Sequence, residues 1–149
     1  MVTFLENVRL RLGKNSLLLH RALMRGHTNM AIDLLKNSDR MQLANWLRAR
    51  DSSDMTVLHI AVIVGTPDLV YQLIRAGADI NAINETGLTP LHLAAAYSSP
   101  EIVQYLLDFG ANTDLLDLEN RTPYFFAEQR QNAKIISLMQ KHHLKQAVA

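Results

Sequence analysis

Thr89-Pro90-Leu91-His92-Leu93-Ala94 has a counterpart on each side of it in the chain, Thr56-Val57-Leu58-His59-Ile60-Ala61 before it and Thr122-Pro123-Tyr124-Phe125-Phe126-Ala127 after it. The copies are equally spaced, since His59, His92 and Phe125 hold the same place in each. A weaker copy, Leu19-His20-Arg21-Ala22, lies nearer the start of the chain. A fixed period between about 20 and 50 residues indicates a stack of similar units, because no single unit can bury its apolar face alone. The sequence therefore predicts a repeat solenoid.

Each copy predicts a pair of helices. Threonine at the start can cap free backbone N–H groups, and proline at the first helical position needs no N–H there. Apolar residues at helical spacing then predict a second helix in the two central copies: Leu69, Val70, Leu73 and Ile74 in one, and Ile102, Val103, Leu106 and Leu107 in the next. Gly77 and Gly110 follow these helices, where glycine commonly ends a helix.

The spacing between the first two copies, from His20 to His59, is six positions longer than the regular period. The extra residues fall within 37–50, where Arg40–Arg48 is rich in helix formers. Leu43, Trp46 and Leu47 share one face at helical spacing, which predicts an added helical segment. Trp46, the single tryptophan, has two interpretations: it pins this segment to the next repeat, or it is an exposed anchor for a partner.

The chain resembles the ankyrin repeat family from about residue 15 to residue 143. The best copy reads Asn84-Glu85-Thr86-Gly87-Leu88-Thr89-Pro90-Leu91-His92-Leu93-Ala94-Ala95, and Glu101-Ile102-Val103-Gln104-Tyr105-Leu106-Leu107-Asp108-Phe109-Gly110-Ala111 continues it. The family's repeat is about 33 residues long, which is also the spacing of the copies in this chain. The resemblance implies an all-α ankyrin repeat solenoid of helix-turn-helix units with connecting hairpin loops. It also implies that the repeated histidine bridges neighbouring repeats.

On this basis we expect four repeats between two short terminal segments. The expected segments are an N-terminal capping helix within 1–14, repeats over about 15–50 with a helical insertion at 37–50, 51–82, 83–115 and 116–143, and a frayed tail at 144–149. Thr3 and Glu6 form a capping-box pattern before the apolar residues of the first helix, which we place at residues 4–12.

Composition narrows the class of protein. The chain has 149 residues, 48% of them hydrophobic and 19% charged, which is typical of a folded domain. Cysteine is absent, so disulfides are excluded and an intracellular, cytoplasmic location is expected. The start of the chain does not resemble a secretory signal, and no apolar run is long enough to span a membrane. Residues 1–50 hold nine Lys or Arg against three Asp or Glu, whereas residues 51–100 hold one against five.

No catalytic or cofactor motif is present. The chain lacks the glycine-rich phosphate loops, the G-x-S-x-G elbow and a cysteine nucleophile. His20, His59 and His92 hold equivalent repeat positions, which favours a structural role over metal binding. His142 and His143 are adjacent and point to different helix faces. We therefore expect no enzyme activity, no metal and no cofactor.

The resemblance implies that hairpin turns and first helices supply a concave, partner-facing surface. Mapped by register, its candidate residues are Met24, Arg25, Arg50, Met55, Ile63, Val64, Ile83, Glu85, Leu88, Tyr97, Leu116, Leu118, Arg121 and Arg130. Several are large and apolar where a solvated surface would be polar, and an exposed apolar strip usually marks an interface. We expect a protein partner there, with the chain acting as an adaptor, inhibitor or effector.

Other interpretations remain open from the sequence. In one of them, the chain is a host-directed virulence effector of an intracellular bacterium or virus and acts in the host cytoplasm or nucleus. In another, it binds acidic or phosphorylated ligands through its basic N-terminal region. Nucleic acid is not an expected partner, since the domain is near neutral and lacks interleaved basic and aromatic residues. A membrane is not expected either, since the longest apolar runs are too short to span a bilayer. The expected state is a monomer or a weak self-associate. Family hairpins can also be hydroxylated on asparagine, and Leu73, Asp79 and Asn81 match that spacing. The alternative, structural interpretation is that Asn81 only stabilises its hairpin.

Overall fold

The computed structural model describes residues 17–149, so the capping helix expected within residues 1–14 lies outside the described part. Residues 17–149 contain helices, turns and loops but no strand. The helices of this part are α1 (Leu18–Met24), α2 (Thr28–Asn37), α3 (Arg40–Arg48), α4 (Val57–Val64), α5 (Pro67–Arg75), α6 (Pro90–Tyr97), α7 (Pro100–Asp108), α8 (Pro123–Gln129) and α9 (Ala133–Val148). The all-α fold class predicted from the sequence is confirmed.

Side-chain caps determine where most of these helices begin. Thr56, Thr89 and Thr122 are the N-caps of α4, α6 and α8, and each hydroxyl accepts a hydrogen bond from the third N–H of its helix. Ser99 caps α7 and Asn132 caps α9 in the same way. The repeated threonine therefore sets the start of the first helix in three successive repeats.

The helices stack in two rows. The first helices of successive repeats, α1, α4, α6 and α8, pack side by side, and the second helices, α2, α5, α7 and α9, form the other row. Small residues such as Ala61, Ala94 and Ala127 are fully buried, which allows the first helices to approach closely. One continuous apolar core runs between the rows from Leu18 to Met139. Burial between repeats, rather than within one repeat, therefore stabilises the stack.

The inserted segment forms helix α3, which packs against α4 of the next repeat. Asp39 caps it by accepting a hydrogen bond from the N–H of Gln42 at 2.8 Å. Trp46 is only 4% exposed and belongs to the core, together with Leu47. Of the two interpretations of Trp46, the one in which it pins the insertion is therefore correct.

The carboxyl-terminal segment differs from the frayed tail expected at residues 144–149. Helix α9 continues without a break to Val148. No glycine interrupts this helix, and its last residues, including Leu144 and Lys145, are good helix formers. Before α9, Gln131 takes the left-handed conformation (φ 56°) at the position held by Gly65 in the second repeat.

Gly87 occupies a turn that the next repeat covers closely. Its φ is +78°, and a Cβ atom would lie 3.0 Å from the backbone N of Leu118 and 3.1 Å from Cα of Asp117.

We expect Gly87→Ala to lower the free energy of unfolding by about 2–3 kcal/mol, because left-handed strain adds to a backbone clash. Gly77→Ala is the matched control and is expected to lower the free energy of unfolding by about 1 kcal/mol. Gly77 also has a positive φ of +96°, but no atom lies within 4 Å of the Cβ that alanine would add. Urea titration followed by circular dichroism measures both, and equal losses would contradict the role of the covering hairpin.

Candidate partner-binding face

Each hairpin is organised by one side-chain oxygen. Asn84 Oδ1 accepts hydrogen bonds from the N–H groups of Thr86 and Leu88 at 3.0 and 2.9 Å. Asp51 and Asp117 hold the equivalent position in the neighbouring repeats and make the same pair of bonds in their own hairpins. Because a short polar side chain satisfies two backbone donors, the turn is rigid without help from a partner.

Neighbouring hairpins are joined through their backbones. The N–H of Glu85 donates to the carbonyl of Ser53 at 3.2 Å, and the N–H of Leu118 donates to the carbonyl of Thr86 at 3.0 Å. The Arg50 guanidinium adds bonds to the carbonyls of Asp54 at 3.0 Å and Ile83 at 2.7 Å. The hairpin tips therefore form one connected row along the stack.

The repeated histidines tie each first helix to the following hairpin. His59 Nδ1 accepts the N–H of Thr56 at 3.1 Å, so Nε2 carries the proton and donates to the carbonyl of Leu88 at 3.0 Å. His92 repeats this arrangement with Thr89 and with the carbonyl of Arg121. Both nitrogens are occupied, so neither ring can bind a metal ion while these bonds stand.

Burial explains the protonation state of these rings. Desolvation lowers the pKa of His20, His59 and His92 below 6.5, although hydrogen bonds to backbone carbonyls oppose the shift. The three rings are at most 1% exposed. His20 differs in one respect, because its Nδ1 is buried with no hydrogen-bond partner among the described residues. The neutral ring is therefore the form that fits the folded protein.

Three of the predicted partner-binding residues are only half exposed. Met55, Leu88 and Arg121 hold equivalent positions in successive repeats, and their carbonyls accept the bonds from the three histidines. Met55 and Leu88 also pack against the core. These residues therefore contribute less surface than the sequence pattern predicts.

The other predicted residues are exposed and lie in two sets of equivalent positions. The first set, at the carboxyl ends of the first helices, contains Met24, Arg25, Ile63, Val64, Tyr97 and Arg130. The second set, in the hairpins, contains Arg50, Ile83, Glu85, Leu116 and Leu118. Met24, Tyr97 and Leu118 are the most exposed large apolar members, at 69%, 67% and 75%. We call these two sets together the first-helix face.

Not every charged residue near the first-helix face is free for a ligand. Arg130 donates to the carbonyl of Ser98 at 2.6 Å, which links the last two repeats. Arg121 forms ion pairs of 2.8 Å with Asp117 and with Glu119. Burial would raise the pKa of Asp117, but hydrogen bonds from Arg121 and from two backbone N–H groups hold it below its usual value. These charges therefore stabilise the hairpins as well as contributing to the charge of the surface.

Phe125 and the aromatic residues of the row of second helices, which we call the outer row, are not among the partner-binding residues predicted from the sequence. Phe125 is 37% exposed and stands where the other repeats have their buried histidine. An apolar phenylalanine at the position of the repeated histidine was the sequence signal that could have indicated this exposed side chain. On the second helices, the ring of Tyr71 lies 5.5 Å from that of Tyr105 and 5.9 Å from that of Phe109. No repeated pattern in the sequence indicated this cluster.

Asn81 already has an intramolecular role. Its side-chain oxygen accepts the N–H of Asn112 at 2.8 Å, and its own N–H donates to Asp79 Oδ1 at 3.0 Å. The side chain thus bridges the loops of two repeats, which is the structural interpretation of the pattern. Hydroxylation of Asn81 stays a prediction.

Residues 17–149 contain no group of three or more His, Asp or Glu side chains placed to hold a metal ion. In the same part of the chain no helix has the length and hydropathy needed to cross a membrane.

Helix pairs that recur at a fixed period, stack in two rows and share histidine and hairpin bonds define a repeat-solenoid scaffold. The chain belongs to the ankyrin repeat family: the family model described as ankyrin repeats (three copies) matches residues 3–84 and 58–147. A comparison with curated proteins finds no match. Ankyrin repeats are general protein–protein interaction modules, and the family is typically not enzymatic.

Proposed function

We propose that the first-helix face is the concave surface on which this chain binds a protein partner. The observation that carries the proposal is the set of seven large apolar side chains exposed in its two sets of positions: Met24, Ile63, Val64, Ile83, Tyr97, Leu116 and Leu118. Monomeric proteins seldom leave apolar surface of this extent without an interaction to cover it. Tyrosine and arginine beside it are residue types that often dominate binding energy.

The mechanism is rigid presentation. Side-chain oxygens fix each hairpin, and bonds between hairpins hold neighbouring repeats in register, so little conformational entropy is lost on this side when a partner docks. Apolar contact would supply most of the affinity, which predicts a weak dependence on salt. Rigid presentation serves an adaptor, an inhibitor or a host-directed effector equally, and the identity of the partner distinguishes them.

The test is affinity capture from candidate lysates with matched baits. The face variant carries Tyr97→Ala and Leu118→Glu, both at strongly exposed positions. The control variant carries Tyr71→Ala and Phe109→Glu on the outer row, where these two apolar side chains are 38% and 41% exposed. We expect the wild type and the control to retain a partner that the face variant loses, with a roughly 100-fold or greater weakening, since hot-spot truncations cost about 2–4 kcal/mol each.

Purified components then decide the outcome. Isothermal titration with the captured partner must reproduce the order of affinities, and circular dichroism must show that both variants unfold near the wild-type temperature. A partner bound equally by the face variant, or lost only by the outer-row control, would place the interface elsewhere and contradict the proposal.

A further inference from the structure

A second candidate site adjoins the first-helix face at Arg50, in the cleft between the inserted helix α3 and the end of α5. The cleft has a volume of about 930 Å³. Four arginines line it, Arg40 and Arg48 on α3, Arg50 in the hairpin and Arg75 in the last turn of α5. We call it the arginine cleft.

The charges of the arginine cleft are not neutralised within the described protein. Asp79 is the one acidic residue of its lining, and its Oδ1 accepts the N–H of Asn81 at 3.0 Å. Among residues 17–149, no carboxylate lies within ion-pair distance of Arg40, Arg48 or Arg75. Four arginines therefore line the cleft with a single carboxylate that already has a hydrogen bond, and the Arg50 guanidinium also donates to the carbonyls of Asp54 and Ile83.

Apolar side chains form part of the remaining walls of the cleft, beside Thr56 and Gly77. Leu43, Ala44 and Leu47 of α3 contribute to the lining beside the arginines. A ligand that fits must therefore present a concentrated negative charge and some apolar surface next to it. The volume leaves room for a molecule larger than one inorganic phosphate ion.

We propose that the arginine cleft receives a phosphorylated serine or threonine of a protein partner. Arginine forks match phosphate oxygens with two parallel hydrogen bonds, and a dianion with three acceptor oxygens can engage several guanidiniums at once. Clusters of arginine are a recurring means of recognising phosphorylated segments. A single carboxylate side chain offers half the charge and would leave most of the four arginines unused.

Arg50 connects this cleft to the first-helix face. Its guanidinium lines the cleft and also donates to the carbonyl of Ile83, a residue of that face. One partner segment can therefore lie on the face and place a phosphate in the cleft. The inference rests on the proposed function only in taking the carrier of the phosphate to be a protein.

The test uses a fluorescent peptide pool, random in sequence around a central phosphoserine, beside the same pool with serine or glutamate. Fluorescence polarisation at low salt is expected to show binding of the phosphorylated pool at least tenfold tighter than either other pool. The affinity should fall steeply with added salt, because the contact is ionic and exposed. Amide NMR shifts should concentrate in residues 40–50 and 75–79.

The diagnostic variants are Arg40→Gln with Arg48→Gln on α3, and Arg75→Gln on α5. These side chains are exposed and glutamine is a good helix former, so the fold should be retained. Each lost arginine is expected to weaken binding about tenfold. Lys134→Gln with Lys141→Gln, on α9, is the charge-matched control and should bind as the wild type does.

Equal binding of the phosphoserine and serine pools would overturn the inference, and so would equal weakening in the cleft variant and the lysine control. Binding of inorganic pyrophosphate with no binding of the phosphopeptide pool would also overturn it, in favour of a free polyphosphate ligand. The face variant Tyr97→Ala, Leu118→Glu separates the two proposals, because it should still bind the phosphopeptide pool through the cleft even if it captures no partner.

Discussion

Replacing His92 by alanine is expected to lower the free energy of unfolding by roughly 3–5 kcal/mol. The buried ring accepts the N–H of Thr89 at 3.0 Å and donates to the carbonyl of Arg121 at 3.0 Å. Alanine would remove both bonds and leave a cavity between the third and fourth repeats. Stability in a solenoid is largely a sum of repeats and their interfaces, so this loss falls on one interface.

Two probes measure that loss at different places. Far-ultraviolet circular dichroism reports all helices, whereas the fluorescence of Trp46 reports the buried insertion near the other end of the stack. In urea we expect the two transitions to coincide for the wild type and to separate for His92→Ala, with the helical signal falling first. Coincident transitions shifted by less than about 1 kcal/mol would show that the histidine does not hold this interface.

The chain also supplies an internal comparison. His20 Nε2 donates to the carbonyl of Met55 at 2.9 Å, but its Nδ1 has no partner among the described residues. His20→Ala should therefore cost about 1 kcal/mol less than His92→Ala, because one hydrogen bond fewer is lost. Equal costs would mean that cavity formation, rather than hydrogen bonding, dominates both variants.

Mild acid is expected to destabilise the fold, starting just below neutral pH. Burial lowers the pKa of His20, His59 and His92 below 6.5, so the unfolded chain takes up these protons first as the pH falls. The contribution of these three histidines to the free energy of unfolding is therefore fully present above about pH 6.5. It declines below that pH until the folded-state pKa values are reached. In that window each histidine contributes up to about 1.4 kcal/mol per pH unit.

The measurement is the free energy of unfolding in urea at half-unit steps from pH 7.5 to 5. His59→Gln should be less stable at neutral pH but should reduce the slope by about one third, since it removes one of the three buried rings whose pKa is lowered. Leu106→Ala, at a fully buried position, is the control that lowers stability without changing the slope. A wild-type slope near zero, or an unchanged slope in His59→Gln, would contradict the buried neutral histidines.

The sequence alone determined the family and the order of the helices, because the relevant signals are local. Threonine caps, proline at the first helical position and apolar spacing act within a few residues, and the fixed period repeats them in register. The same period mapped the candidate face, and most of those residues, including Tyr97 and Leu118, are exposed. The six extra residues before Asp51 likewise marked the place of helix α3.

Only the tertiary structure decided which side chains face water and which groups come together. Met55 and Leu88 are half-buried because their side chains pack against the core, and their carbonyls accept hydrogen bonds from histidines of the preceding repeat, which are far away in the sequence. The arginine cleft lies between α3 and the end of α5, so Arg48 and Arg75 line one space although they belong to different repeats. A periodic pattern predicts the local structure of one repeat. The burial of side chains and the clustering of charges depend on how neighbouring repeats and the inserted helix pack together.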